Sequence, residues 1–344
     1  MKCCGSCFAD RFLKDRIDYL SKDRGLCEIC GTEDAALIEA TALADDFEQL
    51  CGIYEPDEDG RPLIDWLIGD WTIFDVRREQ AMRLLGDILN DAKRAREPCE
   101  PQGSGTHDNL GNWRRLRDEL RHRNRFFPEA GIDDAHADKL LAHLEMANEE
   151  VPPSWHRARI ENGAVQFAET DMGAPPPEKA GPGRANPAGI PYLYLASAPE
   201  TAIAEVRPQK GEVLTVAEFT IEGPRPIIDL RNPRKSITPF GMEDDDILEL
   251  RENINFLEEL GRELSAPVLP DGAAIDYIPS QYLCELIKKL GYHGVVYNSS
   301  ACDGMNLALF DVGSAKIGGT SRHKITGVSL EREEIPSAVP CGAG

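Results

Sequence analysis

Two C-x2-C pairs, Cys4/Cys7 and Cys27/Cys30, restrict the start of this 344-residue chain more than any other feature. Each pair lets one ion take two thiolates. Two pairs complete a tetrahedral Cys4 site with Zn–S distances of about 2.3 Å. Gly5 and Gly31 suit the tight turns that such knuckles make. Reduced, unligated cysteine is the plainer alternative, and Cys3 could stand in for Cys4. Four thiolates leave no open coordination position, so the expected role of a Zn2+ ion is structural. It would stabilise residues 1–32, a segment too short to bury a core of its own.

The remaining cysteines depend on compartment. No apolar run reaches the roughly 18–20 residues that cross a bilayer. The opening M-K-C-C-G-S-C has no apolar signal-peptide core. A cytoplasmic location is expected, where thiols stay reduced. The ten cysteines then read as ligands, core residues or bystanders. A net charge of −22 repels nucleic acid and anionic membranes, so neither is an expected partner. Its plain consequence is solubility; a basic protein partner is the alternative.

Residues 33–150 read as mainly helical. A-A-L-I-E-A-T-A-L-A-D-D-F-E-Q-L follows Gly31 as a helical stretch. Phe74–Ala95 places Val76, Met82, Leu85, Ile88 and Leu89 near one stripe of an amphipathic helix. Helices are expected at Trp113–Phe126 and Asp134–Asn148, and a mobile loop at Glu97–Asn109. Arg115, Arg117 and His122 have R-x4–6-H spacing, which resembles the signature of HEPN-type ribonucleases. There Arg and His flank an RNA phosphate. Basic helices produce this spacing by chance, and a solvated face or an interdomain contact is the preferred reading.

Val151-Pro152-Pro153 marks a boundary, and a second unit runs to 330, with a loose tail at 331–344. Expected strands are His156–Ile160, Tyr192–Ala196, Val213–Ile221, Pro226–Leu230, Gly294–Tyr297 and Leu307–Asp311. Helices are expected at Glu243–Leu264 and at Ser280–Leu290, the latter ended by Gly291. There is no G-x-G-x-x-G after a strand and no P-loop, so neither a Rossmann domain nor a P-loop NTPase fits. The fold class is α+β: a zinc knuckle and helical domain first, then a mixed α/β domain.

Gly183–Val206 gathers the chemistry. A Gly/Pro loop presents Arg184, and a strand then puts Tyr192 and Tyr194 on one face with Leu193 and Leu195 on the other. Ser197 and Glu200 have capping-box spacing, with Pro199 in the first helical turn. The helix carries Glu205, either solvated or aimed into a cleft. Arg157, Arg159 and Arg184 could hold a pyrophosphate through their planar donor forks, or could form surface ion pairs. Ser299 and Ser300 end a strand outside any G-x-S-x-G context, so a hydrogen-bonding role fits better than a nucleophilic one.

W-H-R-A-R-I, G-R-A-N-P-A-G-I-P-Y-L-Y-L-A-S-A-P-E-T-A-I-A-E-V, S-Q-Y-L-C-E-L-I-K-K-L-G-Y-H-G-V-V-Y-N-S-S and N-L-A-L-F-D, in that order over Trp155–Ser329, resemble the RES domain. C-x-x-C-F and C-E-I-C-G are similar to the zinc-bearing, HEPN-like domain that precedes RES domains in longer bacterial proteins. The resemblance implies an ADP-ribosyltransferase-like fold and destruction of NAD+, by hydrolysis or phosphorolysis of the nicotinamide–ribose bond. It also implies a toxin or defence effector, restrained by a helix-turn-helix antitoxin or another protein inhibitor; a homodimer is a further expectation. By motif, the site residues are Arg157, Arg184, Tyr194, Glu205 and Ser299, with Arg159 and Ser300 as alternatives. Asn298 departs from the family's Y-P-S pattern. Transfer of ADP-ribose to a protein is a second reading of the same fold. A zinc-organised interaction module with a degenerate RES domain is a third.

Those residues suit that chemistry. The transition state is oxocarbenium-like, as in glycoside cleavage. Nicotinamide leaves as a neutral base, so no general acid is required. Glu205 would hold the ribose hydroxyls and stabilise the developing positive charge. Tyr194 would stack on nicotinamide, Arg157 and Arg184 would clamp the pyrophosphate, and Ser299 would bond the ribose.

Overall fold

A computed structural model of the chain describes residues 1–103, 108–163, 165–223, 225–268 and 272–329. Its first elements are β1 (Lys2–Cys3), α1 (Arg11–Leu20), β2 (Asp23–Gly25) and β3 (Ala35–Glu39). The three strands form an antiparallel sheet with β3 in the centre. Asp10 caps α1 by accepting from Leu13 N–H, and Leu13 and Ile17, four apart, bury one face of it. The expectation of a helix from residue 35 is corrected for 35–39. There β3 pairs with strands on both sides, and those ladders outweigh the helix propensity of its alanines.

Next come α2 (Ala44–Gly52), β4 (Tyr54–Pro62), α3 (Leu63–Trp71), α4 (Arg78–Ile88), β5 (Pro98–Pro101), α5 (Asn109–His122) and α6 (Asp134–Ala142). α4 is shorter than the expected Phe74–Ala95. Phe74 bridges to Phe8 before it, and Asn90 takes a positive φ of 49° after it. α5 starts earlier than Trp113 because Asp108 caps it from Gly111 N–H. α6 stops at Ala142, and Glu145 bridges to Ile228 instead of extending the helix. Within the expected loop at 97–109, β5 pairs with β4, and residues 104–107 lie outside the described residues. The expected tail at 331–344 also lies outside them.

The second half contains β6 (Trp155–Ile160), β7 (Leu193–Ala196), α7 (Pro199–Glu205), β8 (Val213–Ile221), β9 (Ile227–Asp229), α8 (Pro233–Ser236) and α9 (Asp244–Ser265). α10 (Ala273–Asp276), α11 (Ile278–Lys289), β10 (Gly294–Asn298), β11 (Met305–Leu309) and β12 (Ala315–Lys324) complete it. Seven strands form one mixed sheet in the order β12-β8-β6-β7-β11-β10-β9. Every neighbouring pair is antiparallel except β9 with β10. Alternation along β7 divides the packing. Leu193 and Leu195 join Trp155, Phe219, Leu307 and Leu309 on one face, while Tyr192 and Tyr194 face α11 and the larger core.

That larger core runs across residue 151. α9 buries Ile247, Leu250, Ile254 and Leu257 on one stripe. Phe240 meets Phe12 and Phe47, with ring centroids 5.9 and 5.2 Å apart. Arg234 donates to the Gly69 and Asp70 carbonyls at the end of α3 (2.7 and 2.8 Å), satisfying acceptors that a helix C-terminus leaves open. Arg251 pairs with Asp70 at 2.7 Å. No helix among the described residues is long and apolar enough to cross a membrane.

Candidate active site

β6 and β7 share a single rung, His156 with Ala196, and beside that rung lies a cleft of about 500 Å3. Both strands, α7, the Arg184 loop and the ends of β10 and β11 line it. Arg157, Arg184, Tyr194, Glu205, Tyr297, Ser300 and Asn306 face it together. Arg159 does not line it; its guanidinium lies 4.2 Å from the Phe167 ring centroid and donates to the Asp171 carbonyl.

Glu205 is the last residue of α7. A carboxylate there opposes the helix dipole, so its position asks for compensation. Two donors provide it: Ser299 Oγ–H and Asn306 Nδ2–H both reach Oε1 at 2.6 Å. Oε2 receives neither bond. Asn306 is buried within the otherwise apolar β11 and is registered opposite Tyr297. Ser299 sits on the tight β10–β11 connection and accepts from Ala301 N–H at 3.1 Å. The serine expected to bond the ribose therefore holds the carboxylate. Asn306 does the same work and was not among the expected site residues. Its one sequence signal is an amide inside an apolar run, M-N-L-A-L.

α7 begins one residue later than the capping-box spacing implies. Pro199 occupies its first position, so the cap is Ala198, without a side-chain bond. The Ser197 hydroxyl instead accepts from Met305 N–H at 3.2 Å, extending the contact between β7 and β11.

Tyr194 turns its ring to the cleft, but its hydroxyl is fully used. It donates to Asn186 Oδ1 (2.7 Å) and accepts from the N–H groups of Ala185 (2.9 Å) and Asn186 (3.2 Å). The loop presenting Arg184 is thus pinned to β7. Gly183 is required there, since a Cβ would lie 2.6 Å from the Tyr194 hydroxyl and 2.5 Å from Asn186 Oδ1. α11 holds the loop from the other side: Ser280 Oγ–H bonds the Arg184 carbonyl (2.6 Å) and Gln281 the Gly183 carbonyl (2.8 Å). Tyr192 is buried, its ring tilted against that of Phe310 with centroids 4.7 Å apart, and it donates to Glu285. It serves packing.

Three arginines line the cleft, Arg157, Arg184 and Arg207, and none has a carboxylate partner among the described residues. Arg184 donates to the Ala266 carbonyl at 2.7 Å and lies 5.2 Å from the Tyr277 ring centroid. Arg157 donates to the Gly173 carbonyl at 3.0 Å. Burial, and then the neighbouring Arg159 charge, lower its pKa to about 10, so it remains a cation at neutral pH. A desolvated cation without a counter-charge is costly to the fold, and an arriving anion would relieve that cost. The cleft can therefore take a ligand with negative charge beside its arginines, an aromatic face, and hydroxyls near one carboxylate.

Elsewhere, the Sγ atoms of Cys4, Cys7, Cys27 and Cys30 lie within 4.8 Å of one another, with separations of 3.5 Å (Cys4–Cys30, Cys7–Cys27) and 4.0 Å (Cys4–Cys7). A tetrahedron with arms of about 2.3 Å has edges of about 3.8 Å. The four thiols fit a metal of that size, and Cys3, buried in β1, is outside the cluster. The R-x4–6-H residues are not assembled as a site. Arg117 reaches Glu259 and Glu263 of α9, both at 3.0 Å, and His122 is exposed.

Comparison with known proteins agrees with the region so defined. The RES domain family matches residues 154–326. No curated protein matches the chain. Among solved structures, the crystal structure of the M. tuberculosis MbcT–MbcA toxin–antitoxin complex contains a similar chain. The two are 15% identical with a TM-score of 0.34, over 56% of this chain and 94% of that one. With the match covering about half of its 344 residues, cleft and clamped carboxylate included, the protein belongs to the RES domain family.

Proposed function

We propose that the protein consumes NAD+ by breaking the nicotinamide–ribose bond. The observation that carries this reading is the single carboxylate, Glu205, clamped at one oxygen in a cleft whose three arginines have no carboxylate partner among the described residues. Membership of the RES family supports it. Arg157 and Arg184 hold the pyrophosphate, and the Tyr194 face stacks on nicotinamide. The free Oε2 of Glu205 takes a ribose hydroxyl and faces the charge that develops at the anomeric carbon. Ser299 and Asn306 orient Glu205. Preorganisation of this kind removes the cost of reorienting a carboxylate as the bond breaks. The seven-stranded sheet around the cleft is read as ADP-ribosyltransferase-like. In the cell the activity is that of a toxin or defence effector restrained by a protein partner, a helix-turn-helix antitoxin or another inhibitor.

The first part of the chain is read as support. Cys4, Cys7, Cys27 and Cys30 would hold a structural Zn2+, which ties residues 1–32 to the helical 33–150 unit preceding the catalytic domain at 151–330. The experiment is incubation of the purified chain with NAD+, with and without inorganic phosphate, and product identification by NMR. Free nicotinamide with ADP-ribose means hydrolysis; nicotinamide with a phosphorylated ADP-ribose means phosphorolysis. Intact NAD+ in both arms refutes the reading.

A further inference from the structure

The cleft holds further polar groups that the proposed reaction leaves unused, Tyr297 among them. Tyr297 lies on β10 opposite Asn306, is 5% exposed, and lines the cleft. Among the described residues its hydroxyl makes no hydrogen bond. Four other tyrosines are paired. Tyr54 donates to Asp70 (3.0 Å), Tyr292 to Asp138 (3.1 Å) and Tyr192 to Glu285, while the Tyr194 hydroxyl is saturated. Its oxygen is not one of the fully buried polar atoms left without a partner, so it opens to the cleft, where a ligand can meet it.

The surroundings say which part of a ligand. Burial raises the Tyr297 pKa well above its ordinary value, and Tyr194, Glu205 and Arg184 are close enough for their charges to act on it. The phenol therefore stays protonated at neutral pH and can donate. Its neighbours are the aromatic face and the carboxylate assigned to the nicotinamide riboside half.

We infer that Tyr297 contacts the substrate directly, its O–H donating to an oxygen of the nicotinamide riboside half of the dinucleotide. The inference rests on the NAD+ reading of this cleft. The acceptor is either the carboxamide oxygen or a ribose hydroxyl, and ligands that lack one or both distinguish the two.

The test is Tyr297→Phe in the full chain, made in a Glu205→Gln background so that NAD+ survives the titration. Calorimetry measures binding of NAD+, ADP-ribose and AMP, and thermal unfolding is followed without ligand. The expected result is NAD+ binding weakened about 2- to 12-fold, unchanged AMP binding, and an unchanged Tm. If ADP-ribose binding weakens in parallel, the acceptor is a ribose hydroxyl; if it is unchanged, the acceptor is the carboxamide. Equal NAD+ affinity with and without the phenol overturns the inference and leaves the NAD+ reading standing. Weakening of all three ligands, or a lower Tm, assigns Tyr297 a structural role and also overturns it. Absence of NAD+ binding to the Glu205→Gln parent overturns both.

Discussion

Tyr194→Phe separates the two jobs assigned to one side chain. The substitution keeps the aromatic face but removes the hydroxyl that donates to Asn186 Oδ1 and accepts from Ala185 and Asn186 N–H. Ala185 and Asn186 are buried, so both N–H groups lose their partner away from water. Each unsatisfied donor costs about 1–3 kcal/mol, and local relaxation recovers part of it. A loss of about 2–4 kcal/mol follows, against a typical total of about 5–15 kcal/mol, so the variant should still fold. Urea unfolding measures the loss as a shift in midpoint at constant m. The loosened loop carries Arg184, so the KM for NAD+ should rise more than kcat falls. Stability within about 0.5 kcal/mol of the parent, a spread typical of ordinary surface changes, together with an unchanged KM, would refute the anchoring argument. A fall in kcat alone would mean that the phenol takes part in the chemistry.

Three further outcomes are expected. Asn306→Asp puts a second carboxylate beside Glu205, and two like charges raise one pKa of the pair; activity that needs ionised Glu205 should retreat to higher pH, read as an upward shift of the acid limb of kcat/KM. Arg157→Met should weaken NAD+ binding while leaving the ligand-free Tm equal or higher. The sign follows from its lowered pKa of about 10: the folded state disfavours the protonated form at every pH below that value, so removing the cation removes a cost. Cys7→Ser should abolish stoichiometric zinc, read by metal analysis, and make residues 1–32 sensitive to protease while the rest of the chain persists.

Local patterns were legible in the sequence, and contacts across the chain were not. Alternation in Tyr192–Ala196 identified β7 and its two faces, and the spacing of the four cysteines picked out a cluster that the fold assembles. A-A-L-I-E misled because its helical propensity is countered only by strands at residues 2–3 and 23–25. The cap on α7 was misplaced by one residue because proline at the first helical position fixes the cap at Ala198. Arg157 and Arg159 share one face of β6 by period, and only the loops show that Phe167 covers one of them. The job of Ser299 could not be read locally, since its partner lies 94 residues away. Asn306 and Tyr297 acquire meaning only through the register that sets them opposite each other beside Glu205.

Glu205→Gln removes the charge of the clamped carboxylate proposed to drive loss of nicotinamide, with almost no change in shape. Nicotinamide released from NAD+ by equal amounts of folded parent and variant is the quantity to follow. Release by the parent and a fall of at least about 100-fold in the variant are expected, the scale seen when one preorganised electrostatic group is removed. Equal release by the two proteins would rule out that role for Glu205.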